Sequence, residues 1–443
     1  MFLYNDKTHN ISVTTGGYSE EGCAIRDTFV QLGFGMNFQH GIFYEPTEPG
    51  ERSKIGIVIL HADADYSTWN ICGELAKRGY RTLGSAVSDR ASDLDKKLLD
   101  IKRCVEFLRL YPGIEKVVLM GHSGGATLMT AYQRIAENGV ASVQGDDMLY
   151  KCTLKEELPA ADGVMTLDSN WGNGAMTLFS IDPAILSDAC GTKQDPKYNY
   201  FTKESGYAGN DTKYTKEFIA MYCKAQAKRN NEIIRNALDR LAALEAHEGN
   251  YIDDEPFVIA GANQIHPCNR LFPQDPHLLG HTKAPHDLIH ADGNITNGII
   301  PSIRNSHIDR SPSAIFGLGS VMGTVRTYLS EHSVMATEDY LIGEDGATGI
   351  DWDHTYNCPP GNVKHIHCPL LCMGMTGSYE YLAAEAIYDN AASGDKSIAF
   401  VEGATHNFNA NTEVEAFPGQ FGDTEKLLFD HVAEWLGATG RFL

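Results

Sequence analysis

Ser123 lies in Gly121-His122-Ser123-Gly124-Gly125, directly after the apolar run Lys116-Val117-Val118-Leu119-Met120 and directly before a helical pattern over 126–137. A serine flanked by glycines at a strand-to-helix turn has a mechanical reading. Side chains two residues to either side of the apex would clash, so small residues permit a turn too tight for others. The turn lifts the hydroxyl out at the carboxyl end of a strand. It also leaves the Gly124 N–H at a helix N-terminus, where developing negative charge is favoured. With 43 glycines in 443 residues, a bare Gly-x-Ser-x-Gly arises by chance in roughly one such chain in five. The strand before it and the helix after it carry the reading, not the five letters alone.

A serine hydroxyl is a weak nucleophile. It needs a general base within hydrogen-bond reach, and that base needs a third group to orient it. His406, in Gly403-Ala404-Thr405-His406, follows the last strand pattern (397–402) by four residues. The edge of a parallel sheet would set it beside Ser123. His365 and His367 precede a strand and so belong at the opposite end of the sheet.

The elements that must position these residues read as an alternation. Strand patterns fall at 41–46, 55–60, 81–86, 116–120 and 161–167, the last ending at Asp168; helical patterns fall at 68–78, 94–110 and 126–137. The run Ile55-Gly56-Ile57-Val58-Ile59-Leu60 is continuous and apolar, as in a strand covered on both faces. Such spacing predicts a parallel α/β sheet. Residues 1–37 are polar and Gly-rich and give little pattern. From 169 to 363 the alternation stops. One long helical pattern, or two with a kink, covers 213–247, a His-, Pro-, Asn- and Asp-rich stretch covers 262–311, and 313–330 reads as a further helix. The alternation resumes with a strand at 367–374, a helix at 383–392, a strand at 397–402 and a closing amphipathic helix at 424–436. The expected organisation is a core in two parts, 1–168 and 364–443, with a cap or lid inserted over 169–363.

The turn at 121–125, the strand and loop at 55–65, and the late Gly-Ala-Thr-His together resemble the α/β-hydrolase superfamily. The long middle of the chain resembles nothing assigned. The resemblance implies a mostly parallel central sheet flanked by helices. It also implies a mainly helical cap, inserted after the strand that follows the nucleophile helix. It offers two places for the acid that orients His406. The first holds Asp168, which also gives the chain order Ser123, Asp168, His406. The second usually reads Gly-x-x-Asp-x-x-x-Pro. Here it reads Gly374-Met375-Thr376-Gly377-Ser378-Tyr379-Glu380, without the Asp, so Glu380 is the alternative. The oxyanion hole would take the Gly124 N–H and one from the loop His61-Ala62-Asp63-Ala64-Asp65, either Ala62 or Asp63. Asp65 reads as a cap for the helix that follows.

The implied activity is hydrolysis of a carboxylic ester of a small, bulky or hydrophobic substrate through an acyl-enzyme. Acyl transfer and C–C bond hydrolysis are the alternatives on the same fold. A catalytically inert hydrolase fold used for binding is the alternative from another class. A formal net charge of −22 disfavours nucleic acid and anionic membrane surfaces as partners. No run reaches the ~18 apolar residues of a membrane span, and Met1-Phe2-Leu3-Tyr4-Asn5-Asp6-Lys7 does not read as a secretory signal. Ten scattered cysteines without a C-x-x-C pair suit reduced thiols in the cytoplasm. His277, His281, His286 and His290 do not have the spacing of metal ligands on a helix; a lone acceptor or substrate-contact His is the better reading. Gly317-Leu318-Gly319-Ser320-Val321-Met322-Gly323 is not a dinucleotide fingerprint. No cofactor and no metal is expected. The composition is compatible with a homodimer.

Overall fold

A computed structural model describes residues 22–33, 35, 38–187, 193–263, 270–305 and 319–443. Among these residues a ten-stranded sheet organises the chain. β1 (Ile25–Gln31) and β2 (His40–Pro46) form an antiparallel edge. β3 (Ile55–His61), α1 (Asn70–Lys77), β4 (Arg81–Ala86), α2 (Leu94–Leu110), β5 (Lys116–Ser123), α3 (Gly125–Asn138) and β6 (Gly163–Ser169) follow in strict alternation. After β6 come α4 (Asn173–Ser180) and the 30-residue α5 (Lys216–Glu245). Six strands lie between α5 and residue 350: β7 (Pro256–Ala260), β8 (His286–Ile289), β9 (Ile295–Gly298), β10 (Ser320–Thr324), β11 (Ala336–Ile342) and β12 (Ala347–Ile350). The chain closes with β13 (Leu370–Met375), α6 (Ala383–Asn390), β14 (Lys396–Val401) and α7 (Thr424–Leu436).

The strand order is β1-β2-β4-β3-β5-β6-β13-β14-β8-β9. β4, β3, β5, β6, β13, β14 and β8 run parallel to one another; β1, β2 and β9 are antiparallel to their neighbours. From β3 the chain first steps to β4 on one side and then returns to β5 on the other. That reversal makes the carboxyl ends of β3 and β5 a topological switch point, where open α/β sheets leave a crevice.

Residues of β3 alternate between two cores, as side chains of a strand must. Val58 and Leu60 join one cluster with Leu98 and Ile101 of α2 and Leu128 and Tyr132 of α3. Ile55, Ile57 and Ile59 join another with Ile71 and Leu75 of α1 and Leu428 and Val432 of α7. Both faces are therefore covered by helices, and β3, β5 and β6 are almost wholly buried. Truncating one of these isoleucines to Ala would cost about 2–5 kcal/mol. Side-chain caps fix the starts of three helices: Asp93 accepts from Lys96 N–H, Thr215 from Phe218 N–H, and Asp423 from Lys426 N–H.

The inserted segment departs from the expectation in three places. First, residues 286–298 are part of the central sheet: β8 extends it beside β14 and β9 closes it. Four-residue strands, one of them Ile-Thr-Asn-Gly and nearly all exposed, carry too little apolar alternation to read as strands. Second, the helices of the segment share it with two small sheets: β7 pairs with β10 and β11 with β12, and α5 is stitched to β11 by Asn231, whose amide both donates to and accepts from Ala336. Third, 320–324 of the expected helix at 313–330 is strand β10, and helical turns begin only at Val325; residues 313–318 lie outside the described residues. β1 was not legible either, because its residues are mostly exposed on an edge. No described helix is long and apolar enough to cross a membrane.

Candidate active site

The turn after β5 is as tight as its glycines imply. A Cβ on Gly121 would lie 2.4 Å from Ala126 Cα, and one on Gly125 would lie 2.7 Å from the Leu60 carbonyl oxygen. Neither position tolerates a side chain. Ser123, at the apex, has φ +54°, a left-handed conformation that costs a non-glycine residue about 1–3 kcal/mol and persists only where the surroundings enforce it. Asp168, at the end of the adjacent β6, is held the same way at φ +44°. Ser123 and Ser169 are register partners across β5 and β6, so the two strained residues are neighbours on one sheet edge.

His406 lies on the loop after β14. The loop closes on itself through Thr405 N–H to Asn409 O (2.8 Å) and Phe408 N–H to Thr405 O (2.9 Å). Nδ1 of His406 donates to Asp168 Oδ2 at 2.6 Å. The other oxygen of Asp168 accepts the Met375 N–H at 3.0 Å, a bond supplied by the end of β13. Asp168 is fully buried and its carboxylate is aimed by both partners. Glu380 approaches from the turn after β13, its Oε2 3.5 Å from the same Nδ1. Both expected acid positions thus converge on one imidazole, and Asp168 makes the hydrogen bond.

A second histidine, quoted in the motif but given no role from sequence, ties the site together. His122 Nε2 donates to the carbonyl oxygen of His406 (2.8 Å), and the Tyr66 hydroxyl donates to His122 Nδ1 (2.8 Å). A carbonyl can only accept, so Nε2 carries the proton and Nδ1 is the acceptor. Burial first, then the charge of His406, push the His122 pKa well below its ordinary value, which keeps this ring neutral. Its ring centroid lies 4.5 Å from that of His406 and 4.7 Å from Trp69, with Phe408 at 4.9 Å. The residue before the serine therefore anchors the loop that carries His406. A histidine at that place is visible in the sequence; its partner 284 positions away is not.

The electrostatics favour an imidazolium. Burial works against a charged His406. The field of Glu380, followed by the hydrogen bond and charge of Asp168, outweighs it and lifts the pKa to about 9. Glu380 itself is lifted to about 7, by burial first and by Asp168, against the lowering effects of His406 and Arg270.

On the β3 side, the Asp63 N–H donates to His61 Nδ1 at 3.0 Å and the Ala64 N–H to the same atom at 3.2 Å. Of the two expected amides, that of Asp63 is therefore engaged. Asp65 does not cap α1. Its Oδ1 accepts the Ser67 N–H and its Oδ2 pairs with His40 at 3.2 Å, while α1 starts at Trp69 without a side-chain cap. The four histidines of the insertion do not converge on each other: His277 pairs with Asp275, His286 with Glu385 and His290 with Glu402. His281 bonds the Thr282 carbonyl. His367 pairs with Glu137, at the end of α3.

Asp168, Glu380 and His406 are also, among the described residues, the one group of three metal-ligand types with ligand atoms within 4.8 Å of one another. The 2.6 Å separation of Asp168 Oδ2 and His406 Nδ1 is a hydrogen bond. Two atoms each about 2.0–2.2 Å from one zinc ion at tetrahedral angles would stand further apart, so this is the geometry of proton chemistry. Beside it, a cavity of about 410 Å³ is lined by Tyr379 and Thr405, the chain neighbours of Glu380 and His406, and by Pro273, Arg304 and Asn411. That volume suits a small organic ligand.

The same sheet carries a strand, strained serine turn and helix and, on the loop after β14, an acid-held histidine, in chain order Ser, Asp, His. The fold is that of an α/β-hydrolase. No family model and no curated relative matches the chain. Solved structures similar to it include a hypothetical protein from Pseudomonas aeruginosa (13% identity, TM-score 0.40, covering 97% of this chain and 96% of that one). They also include the siderophore hydrolase EstB from Aspergillus fumigatus (11%, 0.41, 94% and 98%) and Est1E from Butyrivibrio proteoclasticus (10%, 0.39, 92% and 97%). At that distance the likenesses bear on neither substrate nor mechanism.

Proposed function

We propose that this protein is a serine hydrolase that cleaves a carboxylic ester of a small molecule through an acyl-enzyme. The observation that carries the reading is the imidazole of His406, fixed at Nδ1 by the buried Asp168 carboxylate on the sheet edge where Ser123 is held in a strained turn. With Nδ1–H committed to Asp168, the neutral ring has only Nε2 left to accept a proton. Ser123 Oγ attacks the ester carbonyl as His406 Nε2 takes its proton. The imidazolium so formed faces Asp168 and Glu380, whose charges stabilise it. The oxyanion is received by the Gly124 N–H and, since the Asp63 amide is engaged with His61, by that of Ala62. His406 then gives its proton to the leaving alcohol and takes one from a water whose oxygen attacks the acyl carbon; the bond to Ser123 Oγ breaks, His406 returns the proton to that oxygen, and the acid is released.

Ser123→Ala tests the reading. It is expected to abolish turnover of p-nitrophenyl butyrate and labelling by a fluorophosphonate probe, while the thermal unfolding midpoint stays at or above that of wild type, because alanine removes only the hydroxyl. Undiminished labelling of the variant would overturn the assignment. Product analysis with added alcohol separates hydrolysis, which yields the free acid, from acyl transfer, which yields a new ester.

A further inference from the structure

Two arginines are buried beside this site, and they are used differently. Arg304 is held by the protein at both terminal nitrogens, which donate to the carbonyls of Phe272, Leu278 and Leu279 and to Ser302 Oγ, with Nε alone unbonded. It fastens the 272–279 segment in place. Arg270 is fully buried as well, yet Nε, Nη1 and Nη2 make no hydrogen bond to any described residue. Its guanidinium lies over the Tyr379 ring, 4.7 Å from the centroid, and 5.5 Å from that of Phe272. Tyr379 lines the cavity of about 410 Å³ and precedes Glu380. The aromatic frame continues from Phe272 to Trp171, three residues beyond Asp168.

A buried cation with all its donors idle is a costly arrangement unless something arrives to use them. Aromatic faces hold the plane of a guanidinium without consuming its N–H groups. Burial raises the Tyr379 pKa above its ordinary value, and the charge of Arg270 opposes that rise. The guanidinium lies behind the Tyr379 ring that lines the cavity, close enough to His406 and Glu380 for its charge to act on both, and its planar fork of donors is matched by a carboxylate, which can accept two parallel hydrogen bonds. Glu380 does not fill that role: its Oε2 makes no hydrogen bond and is turned toward His406.

We propose that Arg270 receives a carboxylate carried by the ester substrate, making the enzyme selective for acidic esters. This rests on the esterase reading for its chemistry. The net charge of −22 does not steer anions to the molecule, so selectivity comes from this local contact and not from long-range attraction.

The carboxylate could belong to either half of the ester, and the substrates distinguish them. Mono-p-nitrophenyl glutarate carries it on the acyl side, 4-(butyryloxy)benzoate on the alcohol side, and p-nitrophenyl butyrate is the neutral reference. Wild type is expected to prefer one acidic ester, and Arg270→Met to lower the kcat/KM ratio of that ester to the neutral one about tenfold or more. Arg270→Lys should restore part of the ratio, since a lysine supplies the charge without the fork. Unchanged ratios for both acidic esters in Arg270→Met would overturn the proposal, as a merely structural arginine lowers all three rates together. A binding measurement separates this from failure of the esterase reading. Calorimetric titration of monomethyl glutarate into Ser123→Ala should show binding that the Ser123→Ala, Arg270→Met double variant loses. Equal heats in both would contradict the site whether or not any ester is turned over.

Discussion

The ends of β6 and β13 each bring a carboxylate to the same imidazole, and the two are built differently. Asp168 stands at the end of a fully buried strand, in a strained conformation, with one oxygen held by the Met375 N–H and the other 2.6 Å from His406 Nδ1. Glu380 reaches in from a turn, 3.5 Å from the same atom, with that oxygen making no hydrogen bond. A carboxylate that is hydrogen-bonded and aimed fixes a tautomer; one that is only near contributes a field. The difference separates orientation from charge, two effects that a single catalytic acid usually combines.

Asp168→Asn should break the comparison most severely. The amide keeps the shape but can donate to Nδ1 and so favour the wrong tautomer, and kcat should fall on the order of 10⁴-fold. If Glu380 rescued the variant to within tenfold of wild type, the assignment of roles would be reversed. His122→Phe comes next. It leaves both carboxylates in place and removes the bond to the His406 carbonyl, so the loop loses its anchor to the residue before the serine. Steady-state kinetics should show a loss of about 10- to 100-fold in kcat/KM, the scale of a misplacement near 1 Å. Glu380→Gln is the mildest. Its signature is in the pH profile. The base works deprotonated, so kcat/KM rises with pH through a pKa that Glu380 helps to raise. Removing that charge lowers the pKa, and the acidic limb should move to lower pH by about one unit or more, with a smaller loss on the alkaline plateau than Asp168→Asn. A shift to higher pH would contradict the sign of the field.

How much of this was legible in the sequence follows from which contacts are local. The serine turn was, because strand, glycines and helix are contiguous. So was His406, because a strand pattern directly precedes it. The choice between Asp168 and Glu380 was not. It depends on β6 pairing with β13 in the register Leu167 to Met373, which brings Met375 N–H to Asp168, 207 positions away. His122 stood in plain view, but its role requires Tyr66 and the His406 carbonyl. Arg270 gave no signal at all, since a lone arginine in a His- and Pro-rich stretch has nothing to mark it as buried. β8 and β9 gave no strand signal for a related reason: short polar strands at the far edge of a sheet owe their conformation to hydrogen bonds from β14 to β8 and from β8 to β9, not to their own pattern.

The account stands or falls on a covalent bond to one oxygen atom. Wild-type protein mixed with excess p-nitrophenyl butyrate, quenched in acid within the pre-steady-state burst and mapped by peptide mass spectrometry, should carry one butyryl group on Ser123. The same experiment with His406→Ala should carry none. A burst of p-nitrophenol with the acyl group on another residue, or acylation of Ser123 at an undiminished rate without His406, would contradict it.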